Sequence, residues 1–365
     1  MRIAMIGTRG LGTYYGGIER CLDELCPRLA AMGHEVDIYA QQDSPASSLP
    51  GVRNLPTRSF GGKHLSNLSR SMLATARATR HYDVLHFHAT GPGILSAVTR
   101  LTGQPSVVTV HALDQQREKW GVLAKTALSL AERSLVHNAD QLTVVSENLR
   151  RYFRGRYDLP VDLVPNGFPA VVPVAPGALL ARHGLAPKSY LLFASRLTPE
   201  KGCHDLIKAF NATPTPLKLV IAGGNGAQDY IAQIRAGADP SRIVFLGHLQ
   251  GGELGEIFSN AHTFVLPSYI EGMSLALLEA IAYGLPLIVS DIPENRLVVG
   301  SAPVCFPTGD VAALSAAIAA RSADGGLRAT VDASRIPRWE QVAAQYERIY
   351  HRAAAGRPST APVGV

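Results

Sequence analysis

At 365 residues, with 46% hydrophobic and 18% charged residues, the chain is long enough for two domains of ordinary size and too apolar to be disordered. Its four cysteines (Cys21, Cys26, Cys203 and Cys305) form neither a CxxC pair nor a zinc pattern, no apolar run approaches the ~20 residues of a membrane span, and MRIAMIG lacks the regions of a signal peptide, so a cytoplasmic protein with reduced core cysteines is expected. The net charge of +6 is uneven: residues 1–170 hold 19 Lys and Arg against 14 Asp and Glu, and residues 171–365 hold 16 against 15. A basic first half fits nucleic acid, an anionic membrane surface or a diphosphate substrate, and the lack of a zinc finger or an aromatic–basic motif argues against nucleic acid.

The first half opens with an apolar strand, Arg2 to Ile6, and a glycine-bearing loop, Gly7 to Gly17. An amphipathic helix, Ile18 to Met32, and a second strand, Glu35 to Ala40, continue what reads as a parallel α/β sheet. The loop's glycines, at 7, 10, 12, 16 and 17, do not spell GxGxxG, and no acid closes the next strand, so a dinucleotide site is not expected. Gly16 and Gly17 at a helix start would let backbone approach a phosphate closely; the plainer reading is a flexible surface loop. From Arg58 to Arg80 there are five basic residues, Arg58, Lys63, Arg70, Arg77 and Arg80, and no acid. Arg70 and Arg77 lie two helical turns apart and would share a face that could rest on anionic lipid or, equally, be simply solvated. Strands resume at Asp83 to Phe87 and Ser106 to Val110, followed by His88 and His111, at the strand ends where parallel sheets bind ligands. A helical stretch around KWGVLAKTALSLAERS, a strand at Gln141 to Val145 and a second basic cluster, Arg150, Arg151, Arg154 and Arg156, complete the lobe.

Residues 168–178, FPAVVPVAPGA, read as a linker. A second strand–helix series follows, with strands at Tyr190 to Ala194, Lys218 to Ala222, Arg242 to Leu246, Thr263 to Leu266 and Pro286 to Ser290, a short one at Pro303 to Pro307, and a last helix at Trp339 to Ala353. The expected domains are 1–170, 171–335, a terminal helix 336–355 and a disordered tail 356–365: two doubly wound lobes with a ligand cleft between their strand ends.

The chemistry gathers in Pro267 to Gly284, PSYIEGMSLALLEAIAYG. After Gly272 the pattern is helical, with the glycine Gly284 where a helix should end. Glu271 then precedes the helix and Glu279 lies about two turns inside it. A helical Glu is usually solvated, but Glu279 stands in LLEAIA, among residues that must be buried, where an acid needs partners. The backbone N–H groups of Gly272, Met273 and Ser274 would be open to a hydroxyl or phosphate oxygen. Two acids around such a terminus suit a ligand both anionic and rich in hydroxyls, as a nucleotide sugar is. Upstream, SRLTPEKG places Arg196 and Lys201 in one loop at a strand end, where two cations can bracket a diphosphate, although alone they would pass for exposed loop charges.

SRLTPEKG, AGGNG, FLGHL and EGMSLALLEAIAYGLPLIVSD together resemble the large retaining glycosyltransferase family 4, of the two-lobed GT-B fold. TRG, YGGIE and the HALD to KW segment resemble its branch in bacterial exopolysaccharide or O-antigen assembly, and the likeness extends to the terminal WEQVAAQYERIY. The resemblance implies two Rossmann-like domains facing across a cleft, the first on the acceptor side and the second on the donor side, with the last helix crossing back to the first. It implies that Arg196 and Lys201 hold the donor diphosphate, that Glu279 takes the ribose hydroxyls, and that Glu271 faces the transferred sugar with Gly272, Met273 and Ser274. Gly16 and Gly17 would approach the diphosphate, His111 would lie near the sugar and leaving group, and His248 and Leu249 near the base. Ala112 departs from the glycine that often follows this histidine.

The chain has no DxD, so no metal and no other cofactor is expected, and transfer with retention would lean on the cationic pair, with lobe closure excluding water. The partners would be a nucleoside-diphosphate sugar and a saccharide or polyprenyl-diphosphate-linked acceptor, with peripheral contact at the inner face of the membrane. A sugar-nucleotide epimerase or hydrolase on the same fold, or a non-catalytic nucleotide-sugar sensor, are the competing readings.

Overall fold

The computed structural model describes residues 1–13, 16–47, 49–62, 65–113, 122–300, 304–323 and 331–356. The chain divides into two compact units, residues 1–167 with 337–365, and residues 168–336.

The first unit runs β1 (Arg2–Ile6), α1 (Gly17–Ala31), β2 (Glu35–Ala40), β3 (Val52–Pro56), α2 (Ser66–Ala78), β4 (Val84–His88), α3 (Thr90–Gly93), α4 (Ser96–Thr102), β5 (Ser106–Val110), α5 (Val122–Asn138), β6 (Gln141–Val144), α6 (Glu147–Tyr157) and β7 (Asp162–Leu163). Its strands form one sheet in the order β3-β2-β1-β4-β5-β6-β7, and every neighbouring pair is parallel. The central strands β4 and β5 are buried along their whole length, as continuous apolar runs covered on both faces must be. β3 is an edge strand with only Val52 buried, and its last residue is a proline, which an edge tolerates.

The second unit contains α7 (Ala178–Arg182), β8 (Tyr190–Ala194), α8 (Cys203–Ala212), β9 (Lys218–Ala222), α9 (Gln228–Ala236), β10 (Ile243–Gly247), α10 (Gly251–Asn260), β11 (Thr263–Leu266), α11 (Leu275–Ala282), β12 (Leu287–Ser290), α12 (Pro293–Val299), β13 (Val304–Phe306) and α13 (Val311–Ala323). Its parallel sheet has the order β10-β9-β8-β11-β12-β13, with one apolar cluster on each face. The proline-rich stretch from residue 168 is tied to this unit. Val174 N–H donates to Ser259 Oγ at 2.9 Å, and Glu256 Oε1 accepts from Gly177 N–H and Leu180 N–H at 2.8 and 2.9 Å.

The last helix, α14 (Trp339–Ala354), returns to the first unit. Its buried residues, Trp339, Val342, Ala343, Tyr346, Ile349, Tyr350 and Ala353, recur at three and four and make one apolar stripe. Each large one stabilises the docking by roughly 1.5–3 kcal/mol. Around the stripe, Arg28 Nε donates to Glu340 Oε1 at 2.9 Å, and His34 Nε2 stands 3.2 Å from Glu347 Oε1. A Cβ on Gly167 would sit 2.5 Å from the Trp339 ring, so glycine is required where the chain passes that ring. Among the described residues no helix is long and apolar enough to cross a membrane. Of the tail, residues 357–365 lie outside those described.

Candidate active site

In the second unit the strand order reverses between β8 and β11, so the loops leaving their carboxyl ends lie side by side, the usual ligand position in an open α/β sheet. These are the loops of Arg196 and Lys201, and of Glu271. Their backbones touch. A Cβ on Gly202, at φ +67°, would stand 2.1 Å from the Pro267 carbonyl oxygen. The loop after β9 closes on the first of them. A Cβ on Gly223 would lie 1.9 Å from the Ser195 carbonyl oxygen, and one on Gly226 1.8 Å from that of Leu197. Any side chain at these three glycines would push the loops apart.

The contact brings two of the expected residues together. Lys201 Nζ stands 2.6 Å from Glu271 Oε1, and Ser268 Oγ donates to the same oxygen at 2.7 Å. Both partners are largely buried, the two side chains being 12% and 7% exposed, which makes the pair costly to break. The two bonds fall on Oε1, and among the described residues no partner is seen for Oε2. The negative charge of Glu271 thus offsets Lys201. Arg196 is half-buried, and among the described residues its side chain has neither a hydrogen bond nor an ion pair. It supplies the uncompensated positive charge of the loop.

α11 begins later than its apolar pattern suggests. Ser274 Oγ accepts from Leu277 N–H at 3.3 Å and caps the helix, so Gly272, Met273 and Ser274 form the loop that enters it and not its first turn. Glu279 therefore lies just over one turn inside, not two, and is 9% exposed. At the other end Gly284, at φ +67°, donates to the Ile281 carbonyl, and Leu285 N–H to that of Ala280, a Schellman closure. His248 is exposed beyond β10, its Cβ 3.6 Å from where a Cβ on Gly224 would be, and Leu249 packs partly buried on the core.

The first unit reverses between β1 and β4. A Cβ on Gly7, at φ +98°, would stand 2.5 Å from the His88 carbonyl oxygen, so the loop after β1 runs against the end of β4. Residues 7–13 are not a loose surface loop. Glu19 Oε1 accepts from Arg9 N–H at 3.1 Å, Asp23 Oδ1 from Gly12 N–H at 3.0 Å, and Asn54 Oδ1 from Leu11 N–H at 3.0 Å. Arg70 Nη2 donates to the Thr8 carbonyl at 3.1 Å and to Asn67 Oδ1 at 2.7 Å. Arg70 is buried by these contacts, so it does not share a solvent face with Arg77 and is no part of a membrane-facing surface. Arg58, Arg77 and Arg80 are exposed, and Lys63 lies outside the described residues. Gly16 precedes α1 in extended backbone and Gly17 opens it. A Cβ on Gly17 would meet nothing within 4 Å, so the fold does not itself demand glycine there.

His111 follows β5 and its Nε2 lies 3.2 Å from Nδ1 of His88, the last residue of β4. Burial lowers the His111 pKa to about 4 and that of His86, two residues before His88, to about 3, so both rings are neutral at pH 7. His111 can exchange hydrogen bonds with a ligand but cannot offer it a positive charge. Sequence reasoning did not foresee Ser268, the Lys201–Glu271 pairing, or the polar support of the first loop by Asp23, Asn54 and Arg70. Only the three-residue spacing of Ser268 and Glu271 hinted at any of this. Among the described residues no group of three or more His, Cys, Asp or Glu side chains could hold a metal ion.

Residues 181–333 match the family model for glycosyl transferases group 1, and residues 15–170 match that for glycosyltransferase family 4. A glycogen synthase of Mycobacterium tuberculosis is 29% identical over 99% of this chain and 97% of its own length. Among solved structures, a sucrose-phosphate synthase of Thermosynechococcus elongatus superposes with a TM-score of 0.81, at 22% identity, over 97% of this chain and 99% of that one. HepE of Anabaena, solved with UDP-glucose, gives a TM-score of 0.75 at 19% identity over 96% and 99%. Two family models spanning most of the chain, on two parallel sheets of this topology, place it: the protein is a glycosyltransferase of family 4, built on the GT-B fold.

Proposed function

We propose that the protein moves a sugar from a nucleoside-diphosphate sugar to a hydroxyl of a saccharide or lipid-linked saccharide, without a metal ion and with retention at the anomeric carbon, in cell-surface polysaccharide synthesis. The observation that carries the reading is Arg196, a half-buried cation at the β8–β11 reversal with no partner among the described residues. A diphosphate is the complementary charge. The UDP-glucose held by HepE supports the donor class, and the first-lobe motifs TRG, YGGIE and HALD support the polysaccharide setting.

In this scheme Arg196 and Lys201 hold the diphosphate, assisted by backbone at Gly16, Gly17, Gly272, Met273 and Ser274. Glu279 accepts from the ribose hydroxyls, and His248 and Leu249 border the base. Glu271, oriented by Lys201 and Ser268, turns its other oxygen to a sugar hydroxyl. His111 accepts or donates a hydrogen bond near the reacting carbon. The bond from that carbon to the β-phosphate oxygen breaks, its electron pair leaving with the diphosphate. The acceptor oxygen bonds the carbon on the same face, and the acceptor proton passes to the departing phosphate. Arg196 opposes the charge that builds on the leaving group, a contribution of about 10²-fold or more in rate.

Arg196→Ala is expected to lower turnover by about that factor with the melting temperature unchanged. The assay uses UDP-, GDP- and dTDP-sugars with and without a saccharide acceptor. Near-normal transfer by the variant, or loss of wild-type transfer on chelation, overturns the scheme; donor consumption that ignores the acceptor would point to a hydrolase or epimerase.

A further inference from the structure

The interior of the first unit holds a column of polar side chains beneath His111. His86 and His88 project from the same face of β4, as alternate residues do, and their rings lie 4.1 Å apart between centroids. Both are buried. His86 is pinned from two sides: Nδ1 lies 2.8 Å from the Tyr350 hydroxyl of α14, and Nε2 lies 2.7 Å from Thr109 Oγ1. Thr109 in turn lies 2.5 Å from Thr143 Oγ1 and 3.2 Å from the Tyr346 hydroxyl. Next in the column, His88 has two neighbours for its two ring nitrogens, Met5 Sδ at 3.5 Å from Nε2 and His111 Nε2 at 3.2 Å from Nδ1.

We propose that Met5 and His88 are positioning residues that set the tautomer of His111, so that His111 presents a bare Nδ1 as a hydrogen-bond acceptor to a hydroxyl of the sugar substrate. The second half of this rests on the role given to His111 above. A thioether sulfur has lone pairs and no proton. A buried ring nitrogen facing it is satisfied only as N–H, because lone pair against lone pair leaves both groups unpartnered. The proton of His88 therefore sits on Nε2. The ring is neutral, burial holding its pKa well below the ordinary value, so Nδ1 is an acceptor. His111 must then donate from Nε2, and being neutral too, it keeps no proton on Nδ1. Among the described residues nothing bonds that nitrogen. The neighbouring His86 ring, tilted 37° to that of His88 and clamped by Tyr350 and Thr109, limits how the His88 ring can turn and so the direction of the chain of bonds.

The test is proton–nitrogen correlation NMR on the full chain carrying nitrogen-labelled histidine, with the His111 signals assigned by their loss in His111→Gln. The wild type is expected to show a protonated Nε2 and an unprotonated Nδ1 at His111. His88→Leu removes the acceptor; it should mix the two tautomers and lower kcat by roughly tenfold or more, with the donor KM little changed. His88→Asn, whose carboxamide oxygen can stand near the position of Nδ1, should restore both. Met5→Leu should weaken the tautomer preference of His88 without unfolding the protein. A protonated Nδ1 at His111 in the wild type, which needs no variant to be seen, overturns the proposal. So does an unchanged tautomer in a folded His88→Leu. If the tautomer follows His88 as expected but His111→Gln turns over normally, the substrate-facing half is overturned, and the fault then lies in the role assigned to His111 and not in the relay.

Discussion

Lys201 and Glu271 show how two residues with separate expected duties become one unit. Their 2.6 Å contact sits where water is largely excluded, so removing Lys201 leaves the charge of Glu271 with only the Ser268 hydroxyl against it among the described residues. Lys201→Met should destabilise the second unit by about 3 kcal/mol, and it should also lower turnover. Lys201→Met with Glu271→Leu should recover most of the stability and none of the turnover. Thermal unfolding of the three variants measures the coupling; additive losses would mean the pair is not a unit. Gly17 poses the opposite case. Its Cβ position is open, and alanine suits a helix start better than glycine, so Gly17→Ala should hold or raise stability by a few tenths of a kcal/mol. If backbone there meets the diphosphate, the same methyl should raise the donor KM clearly; an unchanged KM removes that role. At this scale the residue types around the donor were legible, since an acid in LLEAIA and two cations in SRLTPEKG are hard to explain otherwise. Which charge pairs with which was not, because the partners lie 70 residues apart and meet where two loops touch, at the close approach of Gly202 to Pro267 and the bond from Tyr269 N–H to the Glu200 carbonyl. Arg70 was misread for a like reason. Its helix spacing puts it near Arg77, but the carbonyl of Thr8 that draws it inward comes from a distant loop.

Among the elements, the buried strands were the easiest to read. Their apolar runs leave little freedom, and β5, β8 and β9 start and end where the pattern places them. β3 was obscure because an edge strand with one buried residue has no pattern to show. The start of α11 was misplaced because periodicity locates the apolar stripe, whereas the first turn is decided by the hydroxyl of Ser274. α14 is the element whose consequences reach furthest. Besides its apolar stripe it inserts two tyrosine hydroxyls beside β4 and β5. Tyr350→Phe keeps the volume and deletes the bond to His86 Nδ1, leaving a buried ring nitrogen unsatisfied. The expected cost is about 1–3 kcal/mol. Chemical denaturation should show an earlier midpoint with an unchanged slope; a midpoint equal to wild type would mean the hydroxyl contributes nothing.

For the whole molecule, the two units differ in how they should answer to acid. His86, His88 and His111 all belong to the first unit, and burial lowers the pKa of each below the ordinary 6.5, to about 3 for His86 and about 4 for His111. A lowered folded-state pKa means that below pH 6.5 the unfolded chain takes up protons that the folded unit refuses. Stability is therefore full above that pH and falls as the pH drops towards 4. His86 and His88, the two most buried, together remove about 3 kcal/mol per pH unit once well below 6.5, a large part of the 5–15 kcal/mol typical of a domain. With Trp120 replaced by Phe, the fluorescence of Trp339, buried in the first unit, follows that unit while circular dichroism follows both. Between pH 6.5 and 5 the fluorescence-detected melting temperature should fall steeply, and the dichroism transition should split, its early part coinciding with the fluorescence change. A fluorescence transition that does not move over this range would mean the buried histidines are charged in the folded unit, or that their cost is offset there by groups outside the column.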